Sequence, residues 1–544
     1  MSGKRVYGID LGTTYSCIAH VDEHGKPVVI QNSEGDSTTP SVVYFESEDN
    51  VVVGQAAKEM VSIHTDQCVS TVKRAMGDPN WQREIHGHVY KPQDVSSFIL
   101  RKVVGDAEKI VGEKIEDVVI TCPAYFGVNE KEATKQAGVL AGLNVLYVIP
   151  EPTAAALAYG IEQTEDQVIL VYDLGGGTFD ITLIEIKGGE ITVICTGGDR
   201  ELGGKDWDDA VVSYFTQKFE AATGTSADAL LEDKETYQEL LNAAERHKKA
   251  LSTRTTVTEA VRFGGEREKV ELTRETFDQI TAQYLERTLS LTDQEIEKAK
   301  QKGYAKIDKL LLVGGSTYMP QVIDAVTKRY NFDVRQFDPN QAVAKGAAIF
   351  GYKCYLDEQI KIRLGNEPEA ASQAQVEKAQ KEVALEQGLT LAAVKKIHKT
   401  KVTNVTSKSF GIVVINQQDR EVVTNLIEID AAVPRTVTRQ FGTHEEGQDR
   451  VDLRCMENSL SGVRELEISD CKELGMAALP FARPLPSNSP IEITFDLGPD
   501  GLLKLHGRDL TTGGEIDAKF ETEAIMSREE VEEAKGHNIK MKVA

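Results

Sequence analysis

The sequence predicts an α/β portion followed by an all-β module, and three observations carry that reading. From Val6 to about Tyr355, short β-branched apolar runs alternate with longer segments of helical spacing. After Thr403 the hydrophobic pattern switches to a period of two, broken by turn residues at short intervals. A strand that runs into Asp and then a glycine turn occurs twice, as YGIDLGTTYS (Tyr7 to Ser16) and VYDLGGGTFD (Val171 to Asp180). Two such halves predict a duplicated unit with a cleft between the copies. At 544 residues the chain exceeds one ordinary core, so several domains are expected.

The elements follow in order. DVVITCPAYF, QVILVYDLGG, EITVICTGG and KLLLVGGST stop at Gly or Pro as strands do, while NEKEATKQAGVLAGL and TYQELLNAAERHKKALS have helical length. This alternation predicts substantially parallel sheets. From about Asn366 to Lys401 the chain is rich in Ala, Glu, Gln and Lys, all good helix formers. Gly388 interrupts that stretch, which predicts two short helices, with Val376, Ala379 and Val383 as a narrow packing stripe. SFGIVVINQQDREVVTNLIEID, DRVDLRCME, VRELEIS and PIEITFDLGPDGLLKLHGRDL then read as strands of a sandwich, joined by turns such as Pro499-Asp500-Gly501. In the final SREEVEEAKGHNIKMKVA, Ser527 and Glu530 have capping-box spacing. The expected domains are 1–355, a helical insertion and linker at 356–402, a β module at 403–526, and a short helical segment at 527–544.

Composition narrows the partners. A formal net charge of -24 argues against nucleic acid. No apolar run reaches the roughly 18 to 20 residues of a membrane helix, so no membrane partner is expected. MSGKRVYGID carries no secretory signal, which makes a cytoplasmic location the expectation. The seven cysteines are widely spaced without a CxxC and read as reduced thiols. His86 and His88 have no Cys or acidic company at metal-ligand spacing and read as a solvated loop.

Glycine turns at strand ends let backbone amides approach phosphate oxygens closely. There are four candidates: Gly12-Thr13-Thr14, Gly175-Gly176-Gly177-Thr178, Gly203-Gly204 and Gly314-Gly315-Ser316-Thr317. Neither familiar phosphate motif fits. GDRELGGKD places Asp206 where a P-loop needs a hydroxyl, and GGGTFD ends on Asp180 where a dinucleotide fingerprint needs glycine. Carboxylates beside a triphosphate hold hydrated Mg²⁺, and Asp10 and Asp173 are placed for that work. Glu151, in IPEPTAAALAYG, is the candidate to orient an attacking water. Thr178 is the candidate to bond that water or the terminal phosphate, and Lys73 to neutralise developing charge. On composition alone Lys73 reads as an ordinary surface lysine.

The motifs GIDLGTTYS, PAYF, EPTAAALAYG, DLGGGTFDIT, LGGKDWDD and LLVGGSTYMP, in this order and spacing, resemble the DnaK-type heat-shock chaperones of the seventy-kilodalton class. The resemblance implies a duplicated actin-like (ribonuclease H-like) ATPase domain followed by a β-sandwich peptide-binding domain, acting in protein folding and the stress response. It implies ATP/ADP with Mg²⁺, and K⁺ as an optional companion cation. Asp10 and Asp173 would organise Mg²⁺ through waters, and Lys73, Glu151 and Thr178 would serve hydrolysis. Thr13, Thr14 and Tyr15 would line the phosphate turn. Glu245, Lys248, Lys249 and Ser252 would hold ribose and adenine, with Gly315, Ser316, Tyr318 and Asn340 closing the pocket. Pro123 would sit in a switch region. Ile412, Ile415, Phe441, Val451 and Leu453 would line a cleft for unfolded or extended polypeptide; each alone reads equally as sandwich core. A J-domain co-chaperone and a nucleotide-exchange factor are the further partners implied.

The sequence departs from the family pattern in three places. Lys249 and Tyr318 stand where two arginines usually sandwich adenine, and Lys249 lacks a planar fork. The leucine-rich acidic linker is replaced by the helical insertion and the basic KKIHKTK, so docking of the linker on the ATPase domain is not expected to carry over. The long helical lid is absent, which predicts fast peptide release. These departures keep a second reading open, an ATP-binding regulator or co-chaperone with weak or no hydrolysis. A small-molecule kinase is disfavoured, because it has no evident need for the β module.

Overall fold

The computed structural model describes residues 4–161, 165–365, 371–498, 501–519 and 525–544. The first sheet contains β1 (Tyr7–Asp10), β2 (Tyr15–Val21), β3 (Pro27–Ile30), β4 (Asp117–Cys122) and β5 (Asn144–Pro150), in the order β5-β4-β1-β2-β3. The second contains β6 (Gln167–Leu174), β7 (Phe179–Lys187), β8 (Glu190–Asp199), β9 (Lys309–Val313) and β10 (Asp333–Gln336), with the corresponding order β10-β9-β6-β7-β8. In each sheet the first three strands run antiparallel, and the two later strands join parallel. The sheets are therefore mixed rather than substantially parallel. Short connections fold β1–β3 and β6–β8 into meanders, and only the later strands arrive through helical crossovers.

β1 ends at Asp10, and Asp173 is the penultimate residue of β6, so each half presents a carboxylate at or next to a strand end. The halves meet through two helices, Glu151–Gly160 and Ala342–Leu364. Both are rich in small residues at the crossing: a side chain on Gly346 would run into the backbone of Ala154. The second of these helices runs past 355 to Leu364.

Gln373–Gln387 and Leu391–Lys399 form the two expected short helices. Gly388 between them has φ 68°, a left-handed cap that glycine adopts without strain. Ala379 and Val383 of the expected stripe are buried and Val376 is half-buried. The next strand, Lys401–Val405, overturns the expectation about the linker. It pairs parallel with β8 (Glu190↔Lys401, Ile191↔Val402, Thr192↔Thr403) and antiparallel with Ala432–Val433. Pairing uses main-chain groups, so a leucine-rich sequence is not required, and Val402 and Val405 supply the apolar contact.

The β module has two four-stranded sheets packed face to face. Phe410, Leu479, Ile493, Phe495 and Leu505 fill the space between them. VRELEIS does not form a strand there. Leu466 makes one isolated bridge to Val423 while Val463 is exposed, and a 3-10 turn follows at Ile468–Asp470. Arg435–Gly442 supplies an edge strand that the sequence reading passed over. Of the expected turn, Pro499 and Asp500 lie outside the described residues. The final helix, Arg528–Asn538, opens with the Ser527–Glu530 capping box and packs on helices Pro92–Val111 and Val128–Leu140. Lys542–Val543 then adds parallel to Asn50–Val53, within a small sheet of the first half.

Candidate functional site

A cleft of about 850 Å³ lies between the halves. Asp10 and Asp173 reach it from the ends of β1 and β6. Glu151 enters as the first residue of helix Glu151–Gly160, and Lys73 from the 3-10 turn Val72–Ala75. The Lys73 ammonium pairs with the Glu151 carboxylate, both buried, so the surface-lysine reading fails. Thr121 donates to Asp10 at 3.3 Å. Thr178 closes the glycine turn by accepting from the Gly175 amide at 3.0 Å, and it is itself buried.

The two glycine turns of the opening repeat face each other. Gly176 and Gly177 press on Thr14 and Thr13 so closely that a Cβ at either glycine would overlap a threonine. Gly12, Thr13, Thr14, Tyr15, Gly175 and Gly176 line the cleft. Gly177, Gly203 and Gly204 do not; they form the floor beneath it. Gly203 lies on the Gly177 backbone, and the Gly204 amide donates to Gly175 O at 3.0 Å. Ser316 Oγ donates to the same oxygen at 2.8 Å. Gly314 and Gly315 complete the wall beside Asn340.

Helix Lys234–Leu251 and its cap place Glu245, Lys248, Lys249 and Ser252 on one face, at the far end of the cleft. Lys248 Nζ donates to Gly204 O and to Asp208 Oδ2, each at 2.7 Å. Burial pushes Asp208 up to about 6 against the pull of Lys248. Tyr15 reaches across from the first half and donates to Glu245 at 3.0 Å. Lys249 donates to the Tyr15 hydroxyl at 2.7 Å and lies 4.6 Å from its ring centre. Lys58 pairs with the same carboxylate. Burial opposes the charge on Glu245, yet Lys58 and Lys249 hold it at about 2. Lys249 thus ties the two halves together. Tyr318 stands at the rim, 44% exposed.

Asp180 and Arg74 are contributors that the sequence reading missed. Asp180 is buried and accepts from the Ala124 amide at 2.8 Å, directly after Pro123. The second half thereby holds the loop that follows β4. Its signal was present in GGGTFD, where Asp180 served only to reject a fingerprint. Arg74, next to Lys73, donates to Gly177 O at 2.8 Å and pairs with Asp206 at 2.9 Å.

Three buried carboxylates (Glu151, Asp173, Asp180) and the half-buried Asp10 surround one buried ammonium. Desolvation, then the Glu151 charge, push Asp10 up to about 7. The same causes raise Asp173 and Asp180 well above the ordinary carboxylate range. Burial works against charged Lys73, but Glu151 and Asp10 outweigh it and raise its pKa. Such an anionic excess fits a hard divalent cation held by oxygen ligands.

In the β module, Ile412 and Leu453 are buried in the sandwich core, and Phe441 and Val451 pack partly buried against it. Ile415 lies outside that cluster and is exposed. The module also touches the first two-thirds of the chain: Asn404 accepts from Thr153 at 2.9 Å, and Ser407 donates to Phe126 O at 3.2 Å. His86 lies 2.9 Å from Phe45 O, and His88 stacks on His537 with ring centres 3.9 Å apart. No helix among the described residues is long and apolar enough to cross a membrane. Compared with known families, the chain matches the model described as Hsp70 protein over residues 6–86, 78–353 and 366–544.

Proposed function

Since the chain belongs to the Hsp70 family, and is on that ground a chaperone of the Hsp70 type, we propose that it hydrolyses ATP between its two halves and binds extended polypeptide on its β module. The repeated strand order supports an actin-like, duplicated ATPase domain. The observation that carries the enzymatic reading is the convergence of Asp10, Lys73, Glu151, Asp173 and Thr178 on facing glycine turns.

The phosphates would lie along the amides of Gly12–Tyr15, Gly175 and Gly176, with the base toward Glu245, Lys248, Lys249, Ser252, Gly315, Ser316, Tyr318 and Asn340. Asp10 and Asp173 would hold Mg²⁺ through waters, and the ion would supply neutralisation of phosphate charge. Glu151, fixed by Lys73, orients the attacking water. The Lys73 ammonium faces the charge that develops as the terminal phosphate departs, and Thr178 bonds the water or that phosphate. Closure of the halves on ATP would bias the β module between weak and tight binding of unfolded segments. A J-domain partner and an exchange factor fit the same cycle.

The test is ATP turnover of the wild type beside Thr178→Ala, each with and without an unfolded peptide. Turnover that peptide stimulates and Thr178→Ala abolishes is the expected result. ATP bound without any turnover would overturn the hydrolase reading in favour of a nucleotide-binding regulator.

A further inference from the structure

The helices Gln373–Gln387 and Leu391–Lys399 do more than connect. Ala379, Val383, Ala384, Val394 and Ile397 belong to the same buried cluster as the helix Ala342–Leu364 and the second sheet. Gln387 donates to Tyr355 at 3.1 Å and His398 lies 2.6 Å from Asp357, both partners on that long helix. On the other side, Gly25 in the β2–β3 turn abuts Ala393 and Ile397. The hairpin is thus seated on the ATPase body at several independent points.

Thr400 alone separates this seated hairpin from the linker strand. Its amide donates to Ile397 O at 3.2 Å, and its hydroxyl donates to Lys396 O at 3.2 Å. Lys401 already stands in register opposite Glu190. The far end of the strand is also fixed. Asn404 pairs with Val433, Thr406 and Asp430 exchange with Ala431 and Thr406 through main-chain bonds, and Asp430 pairs with Lys302 at 3.0 Å. Closing a strand onto a sheet costs entropy that grows with the free chain before it. With one residue of free chain that cost nearly vanishes, and the local concentration of the strand at its edge is very high.

We propose that the hairpin is a clamp that keeps Lys401–Val405 paired with β8 in every nucleotide state. This rests on the nucleotide reading of the cleft, and it deepens that reading: nucleotide state would then reach the β module through movement of the halves, not through release of the linker.

Hydrogen exchange of the full chain, nucleotide-free and with ADP or ATP, tests it. The expected result is equal protection of residues 401–405 in all three states. A tenfold or larger rise in their exchange with ADP relative to ATP overturns the clamp. Protection of the turns at 12–15 and 175–178 by ATP, read in the same experiment, reports separately on nucleotide binding. A second form carries a flexible Gly-Ser segment, about eight residues long, between Thr400 and Lys401. It leaves hairpin and strand intact, and should raise exchange at 401–405 at least several-fold in the ADP or nucleotide-free state. If the inserted form exchanges as the wild type does, the hairpin is not the clamp.

Discussion

The two halves share a strand order, yet their outer edges differ. In the first sheet the edge strand β3 begins at Pro27, which offers no amide, and no strand among the described residues pairs beyond it. In the second sheet the equivalent edge, β8, accepts Lys401–Val405 and, through it, Ala432–Val433 of the β module. The first half takes its distant segment elsewhere, where Lys542–Val543 joins Asn50–Val53. Two halves of like strand order are therefore made asymmetric by chain that lies outside both. One half reads the linker and the other the chain's final helix.

The cleft repeats this asymmetry in its cations, and there the largest effect is expected. Lys73 of the first half faces several buried carboxylates, whereas Lys248 of the second is matched by Asp208 and Gly204 O. If Lys73 serves hydrolysis as proposed, Lys73→Ala should lower ATP turnover by roughly a hundred- to a thousand-fold, through loss of the charge that would face the reacting phosphate. Lys248→Ala should instead weaken nucleotide binding, by roughly tenfold, with a smaller change in turnover. Single-turnover rates and nucleotide titrations of the two variants separate these outcomes. Equal losses of turnover would break the proposed division between the halves.

The final helix gives a second, intermediate effect. Asn538 is fully buried and donates to Asp94 Oδ1 at 2.9 Å and to Ser97 at 3.2 Å, while Arg101 donates to Met541 O at 2.8 Å. Gln136 holds Met526 through both its amide and its carbonyl, at 3.1 and 2.8 Å. Asn538→Leu leaves Asp94 short of a donor in a buried site and should cost about 1–3 kcal/mol. Exchange at 50–53 should rise while exchange at 190–193 stays unchanged. A uniform rise in both would mean that the segment supports the whole molecule rather than the first half.

What could be read in the sequence follows from how each signal is encoded. The placement of Asp10, Asp173 and the glycine turns on one cleft was legible because the same residue types repeat at two strand ends, in YGIDLGTTYS and VYDLGGGTFD. The helix break at Gly388 and the Ser527–Glu530 cap were legible because they are local. The linker strand was misread because main-chain pairing leaves little trace in side chains. Asp180, Arg74 and Lys58 were passed over since their roles depend on partners in the opposite half. The docking of Arg528–Asn538 was invisible for a similar reason: Asn538 and Met541 look like tail residues until Asp94, Ser97 and Tyr90 surround them. VRELEIS failed in the other direction, since its alternation was real but only Leu466 is buried, with Ile468 half-buried against the same small cluster and Val463 exposed.

The smallest effect is expected where the β module touches the first half. Glu457 is buried there beside Glu130, its Oε2 3.5 Å from the Val128 amide, with Lys472 3.4 Å from Glu130 and 4.0 Å from Glu457. Burial, then the Glu130 charge, raise the Glu457 pKa above its ordinary value, against the pull of Lys472 and Lys408. The docked form therefore binds this proton more tightly than a form in which Glu457 faces water. Its contribution to docking is fully present below the ordinary glutamate pKa and is lost as pH rises through the raised one. Acidification through that window should increase the docked fraction, by roughly a few-fold. A fluorophore pair, one on the β module and one on the first half, would follow it, with Glu457→Gln expected to flatten the profile. Linkage of β8 to Lys401–Val405 is made by main-chain pairing away from Glu457, so exchange at 401–405 should not follow the same pH curve. A docked fraction that falls on acidification, or a Glu457→Gln profile as steep as the wild type's, would place the pH response elsewhere in the joint.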